Sequence, residues 1–149
     1  MTLDRQGIGL AILRVTIGVF FLFQGIAKIQ WFTDSSLLAG KFSDWMQASA
    51  PGSVSVQYLE RVAVPYTSIL ARVVPLAEIL SGLALIVGLW TPVFAFLAFF
   101  MTLNVALVSG EIFRYRFLTG GYGLPVLGAT LALTIGGVRL PWSFRIKKT

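Results

Sequence analysis

Neither cysteine nor histidine occurs in the 149 residues. Their absence removes disulfides, thiol chemistry, thiolate clusters, imidazole metal ligands and histidine acid–base work together. Acids are scarce as well: the six Asp and Glu are too scattered to make a carboxylate metal site, so no metal is expected. Charged residues of both signs reach only 12 %, against 56 % hydrophobic, where soluble domains run at roughly a quarter charged. With a mean hydropathy of +0.83, there is too little polar surface to cover a globule of this size. The excess apolar surface must face lipid, and composition predicts an integral membrane protein. The net charge of +6 does not point to nucleic acid. The basic residues are dispersed, and their one cluster (Arg145, Lys147, Lys148) follows a hydrophobic segment, as charge flanking a span does.

What is present is long apolar runs. A span needs about 20 mostly apolar residues, and candidates lie at about 8–29, 66–90, 92–109 and 121–139. The first has the look of a signal peptide, but no small-residue cleavage site follows and Arg14 interrupts it, so a retained span is expected. Thr91–Pro92 breaks the second run from the third, and "EIFRYRFLTGGYG" is read as a polar, glycine-rich turn before the fourth and shortest. Recurrent glycines (Gly18, Gly25, Gly82, Gly88, Gly128, Gly136, Gly137) predict close helix packing. The expected fold is all-α: a membrane-embedded four-helix bundle, up-down-up-down, in a single domain over 1–149.

Residues 30–65 differ from these runs. Leu38, Phe42, Trp45, Met46 and Ser49 recur at helical spacing, with Lys41, Ser43, Asp44 and Gln47 elsewhere on the circumference. Thr33 or Asp34 is placed to cap this amphipathic helix, and its tryptophan suggests the membrane surface. "APGS" breaks it, and "VSVQYLERVAVP" offers a second short helix. The segment is expected to cap one end of the bundle. Cations divide evenly between the two sides of a four-span layout, six on each, so the positive-inside rule is almost silent. The C-terminal basic cluster tips the choice toward cytoplasmic termini in the inner membrane.

The charges inside these runs are the candidate functional residues. Arg14, Gly18, Phe21, Gly25 and Lys28 share a stripe roughly 80° wide on the first span, with Gln24 beside it. Glu78 falls near the middle of the second span, on a face with Ala71, Pro75, Gly82 and Leu85. An ionised group at the bilayer centre costs on the order of 2.5–3.5 kcal/mol, so Glu78 is expected to be protonated or paired. Arg72 lies about 120° away on the wheel and does not face it. Arg14 and Lys28 are the better partners, each roughly 9–15 Å away axially if the spans align, with Asn104 as a neutral contact. Such a cluster either fixes helix register or forms a polar pocket for a quinone headgroup, a proton or a lipid head.

An arginine early in the first span, "FFLFQGIAKI" at its end and "PLAEILSGLALIVGLWTP" in the second together resemble the DoxX family of small four-helix membrane proteins. The matching positions are Arg14, Gly18, Gly25, Lys28, Glu78, Gly82, Gly88 and Thr91–Pro92. The resemblance implies a membrane subunit associated with redox enzymes; some relatives are the DoxD-type subunit of thiosulfate:quinone oxidoreductase. Nothing in this chain alone carries electrons. The leading expectation is therefore an accessory, non-catalytic subunit of a membrane redox or energy-conversion complex. Its partners would be lipids and other subunits. It would have no intrinsic cofactor, and a quinone or lipid would occupy its groove. The alternatives are a quinone-linked oxidoreductase subunit with Glu78 as proton relay, and a small transporter.

Overall fold

A computed structural model describes residues 5–112, 114–120 and 123–143. The fold is all-helical among these. Helix α1 spans Arg5–Ala27, and a 3₁₀ turn over Ile29–Phe32 leads to α2, Ser36–Ala48. Helix α3, Val54–Tyr58, runs on into a π-helical turn over Leu59–Ala63. Then come α4, Thr67–Val87; α5, Thr91–Val108; α6, Tyr115–Thr119; and α7, Leu124–Gly136, closed by a 3₁₀ turn over Gly137–Arg139. Helices α1, α4 and α5 are long and apolar enough to cross a membrane.

One expectation needs correction and another gains detail. The fourth run, expected over 121–139, contains a helix of 13 residues, about 20 Å long, continued by the 3₁₀ turn over Gly137–Arg139. It starts at Leu124; Gly121 and Tyr122 lie outside the described residues, as does the C-terminal basic cluster. The segment read as a turn between α5 and α7 contains the short helix α6.

Glycine sets how α1 meets α4. A Cβ on Gly82 would lie 2.5 Å from the Leu22 nitrogen and 2.7 Å from the Gly18 carbonyl oxygen, so the backbones touch there. Gly18 in turn abuts Gly82 and Ile86, while Gly25 abuts Pro75 and Ile79. The two helices are thus antiparallel, in a register that sets Gln24 level with Glu78 and Arg14 level with the end of α4. Without a hydrophobic drive between helices in lipid, close backbone approach of this kind is what holds them.

The offset leaves the first half of α4 projecting beyond α1. The segment 29–63 fills that step. Leu38 and Phe42 of α2, Leu59 and Ala63 after α3, Ala71 of α4 and Val108 of α5 form one buried cluster, with Trp45 and Met46 packed on its margin. Ser35 is the N-cap of α2 and makes no side-chain cap hydrogen bond, while Asp34 just before it closes a turn, its Oδ1 accepting from the Ser36 N–H at 2.9 Å. Ser53 caps α3 by accepting from the Val56 N–H at 3.4 Å. Hydrogen bonds tie this cap to the α5 end, among them Ser55 donating to the Leu107 carbonyl and Arg114 to that of Ala48, each 2.7 Å.

The second core joins α1, α4, α5 and α7 through Ile17, Phe21, Leu85, Ala95, Ala98, Val126 and Leu133. At the far end, Gly88 takes the left-handed φ of +80° that terminates α4, and Trp90 follows at φ 41°. Pro92 sits in the first turn of α5, where its missing N–H has no intrahelical partner to lose. Large apolar side chains such as Ile12, Phe23, Ile69, Phe96, Phe100 and Ile135 remain more than half exposed around the outside. Patches of that extent mark a surface that another apolar phase covers.

Candidate functional site

Lys28 lies one residue beyond α1, in a turn closed by its own N–H to the Gly25 carbonyl at 3.1 Å. From there its side chain reaches across to α4. Nζ donates to both carboxylate oxygens of Glu78, at 2.5 Å and 2.7 Å, and stands 3.5 Å from the Gln24 Oε1. The Glu78 side chain is only 6 % exposed and that of Lys28 22 %. The 3₁₀ turn after Lys28 folds Trp31 back so that its ring centroid lies 5.9 Å from the ammonium, within reach of a cation–π attraction. The glycine register puts these groups in range: it brings Gln24 opposite Glu78, and Lys28 only about a turn beyond.

The pair stands between two cavities. One, of about 440 Å³, lies toward α5 and α6; Glu78, Lys28 and Gln24 line it with Phe20, Phe21, Met101, Phe117 and Glu111. The other, of about 490 Å³, lies under the cap, lined by Lys28, Gln24, Lys41, Trp31, Phe42, Tyr58 and Asn104 among others. Lys28, Gln24, Trp45 and Val105 belong to both walls, whereas Glu78 belongs to the first. Both volumes fall within the roughly 300–1,000 Å³ typical of small-molecule sites. Mostly apolar walls with a few convergent donors and acceptors suit a ring or headgroup bearing oxygen atoms.

The remaining candidates are placed elsewhere. Arg14 is 1 % exposed and lies over Gly88 at the end of α4, ten residues and about 15 Å of helix from the level of Glu78. Its Nη1 donates to the Ser143 hydroxyl at 2.6 Å and its Nη2 to the Trp142 carbonyl at 3.1 Å. Nε has no hydrogen-bond partner among the described residues. A guanidinium there meets the negative end of the α4 dipole and pins that end to the chain after α7. Asn104 donates from Nδ2 to the Tyr58 hydroxyl at 3.0 Å, joining α5 to α3 rather than to Glu78. Arg72 is exposed on the outside of α4. Of the sequence candidates the structure therefore joins Lys28, Gln24 and Glu78, places Asn104 with Lys28 and Gln24 in the wall of the cap-side cavity, and sets Arg14 and Arg72 apart. Trp31, Tyr58 and Glu111 were not singled out; only a tryptophan three residues after a lysine hinted at the first.

Comparison with known proteins agrees with the sequence pattern. No curated protein and no solved structure matches the chain. The family model described as DoxX matches residues 9–110, more than half of the chain and all of α1 to α5 but the start of α1 before residue 9. That stretch contains Arg14, the glycine contacts and the Lys28–Glu78 pair, and the chain belongs to the DoxX family of membrane proteins.

Proposed function

We propose that this DoxX protein is a non-catalytic subunit of a redox or energy-conversion complex of the inner membrane, and that its α5-side cavity receives a quinone headgroup. The observation that carries this reading is the Lys28–Glu78 pair set into the wall of an apolar cavity. Helix register does not depend on the pair, because the contacts at Gly18, Gly25 and Gly82 already define it. A buried ion pair is weak evidence for stability in any case. A quinone offers two carbonyl oxygens on an apolar body. The Lys28 ammonium and the Gln24 amide supply donors, and Glu78 supplies an acceptor for the hydroxyls of the reduced form. With no cysteine or histidine in the chain, the electrons come from partner subunits.

An up-down-up-down passage of α1, α4, α5 and α7 fits the contacts. Gly7 at the start of α1 abuts Pro141, and Gly136 at the end of α7 abuts Leu10. The start of α1 and the end of α7 lie together, with the cap at the opposite end. Cytoplasmic placement of the termini rests on the basic residues from Arg145 to Lys148.

A second reading makes the chain a quinone-linked oxidoreductase subunit with Glu78 as proton relay. It is favoured by Glu78 facing the cavity while it contacts Lys28. Glu78→Gln, assembled in native membranes, tests both. The accessory reading expects a loss of binding of a photoreactive quinone analogue with the complex intact on native gels. The relay reading expects retained binding with quinone-linked turnover lost. Unchanged binding and turnover would overturn both, and loss of the complex alone would make the pair structural.

A further inference from the structure

The two cavities differ in charge. The α5-side cavity has Glu78 and Glu111 against Lys28. The cap-side cavity has Lys28 and Lys41, and no acid among the described residues that line it. Lys28 is already balanced by Glu78, whereas Lys41 has no acid within ion-pair distance among the described residues. One positive charge is left over, on the face of α2 that also carries Leu38 and Trp45, three residues before it and four after. A lysine on a helix face turned to an apolar cavity can simply snorkel toward water. Here a second feature points to an occupant. Ile69 lines the same cavity and is 55 % exposed, and from it Val73, Leu76, Leu80, Leu83 and Val87 continue along one outer face of α4, each 45–53 % exposed. An apolar track as long as the helix thus begins at the mouth of a positively charged, aromatic-walled cavity.

We infer that the cap-side cavity binds the headgroup of an anionic phospholipid, with the phosphate at Lys41 and an acyl chain along Ile69, Val73, Leu76 and Leu80. Charge selects the anion, and the track selects a molecule with a long chain. A soluble anion uses only the first feature, and a zwitterionic lipid brings a cation of its own into a cavity that already holds two lysines and has no acid among the described residues that line it. The assignment is independent of the quinone reading, because it concerns the other cavity and a residue that does not line the quinone site.

The test is native mass spectrometry of delipidated protein in a neutral detergent, titrated with phosphatidylglycerol or phosphatidylcholine of the same chain length. One phosphatidylglycerol is expected to bind with a roughly fivefold preference, the size of one lysine's attraction for an anionic headgroup. Lys41→Gln should remove the preference and Lys41→Arg should keep it. Lys41 is exposed on α2, so both variants fold, as their helical circular dichroism will show. Equal binding of the two lipids by the parent protein, or a preference unchanged in Lys41→Gln, overturns the site. Full displacement of phosphatidylglycerol by an equimolar fatty acid overturns the phospholipid assignment in favour of a carboxylate.

Discussion

At the scale of single residues, the Lys28–Glu78 pair shows how little charge the interior tolerates unmatched. Taking away one partner of a buried ion pair costs about 3–5 kcal/mol, whereas replacing both by apolar groups is often neutral. Lys28 keeps some exposure, so Lys28→Met should fall at the lower end of that range in detergent unfolding. Adding Glu78→Leu should restore most of the loss. A double variant no better than the single one would show that the charges act independently. Lys28 was legible in the sequence because it shares a wheel stripe with Gly18 and Gly25. Its partner was legible only as one of two options, since a wheel gives angles and not axial offsets. Asn104 was legible as a polar residue of the bundle but its partner was not: Tyr58 is 46 residues away, in a segment whose path no periodicity reveals. Asp34 offers a second test. Its carboxyl is held below the usual aspartate range, chiefly by the Ser36 hydroxyl and then by the Ser36 N–H. A pKa lower in the folded state means stabilisation that is full above the ordinary aspartate value and is lost as pH falls through the depressed one. Protection of the amides in the first turn of α2, measured relative to their intrinsic exchange rates, should therefore fall on acidification in the parent protein and stay flat in Asp34→Ala.

At the scale of elements, glycine is the instrument of register. A methyl group on Gly82 would meet backbone atoms of Leu22 and Gly18, which cannot swing aside. Gly82→Ala should force α1 and α4 apart and cost about 1–3 kcal/mol, measured by thermal unfolding in detergent. The same substitution at Gly128, which has nothing within 4 Å of the added carbon, should be neutral or stabilise by up to about 1 kcal/mol through helix propensity. Equal effects at both positions would refute the notch. Composition foretold that glycines pack. It did not show which glycine meets which backbone, and the missing offset is why an aligned pair of spans seemed to set Arg14 as near to Glu78 as Lys28. The cap is held more loosely. Among the described residues, Ser55→Ala with Arg114→Ala removes two of the three hydrogen bonds from the cap to the α5 end, each contributing about 1 kcal/mol, and leaves Asn104 on Tyr58. Hydrogen exchange over residues 36–48 should then rise while that of α4 is unchanged.

At the scale of the whole molecule, the helical class and the apolar runs follow from so few charges in so hydrophobic a chain. The interior polarity follows from where the helices slide. The α1–α4 offset opens a step, segment 29–63 roofs it, and the cavities are the space left around Lys28. One feature of the outline acts beyond the protein. Helix α1 has 23 residues and α7 only 13, so the proposed passage of both through one bilayer would give the molecule a tall side and a short side. Lipid beside α7 would then thin or bend to meet it, at a cost of fractions of a kcal/mol per Å of mismatch. Such a passage would leave a lopsided elastic footprint: the protein should sort toward thinner membrane, and another subunit whose helix covers α7 would gain the energy of the bilayer it relaxes.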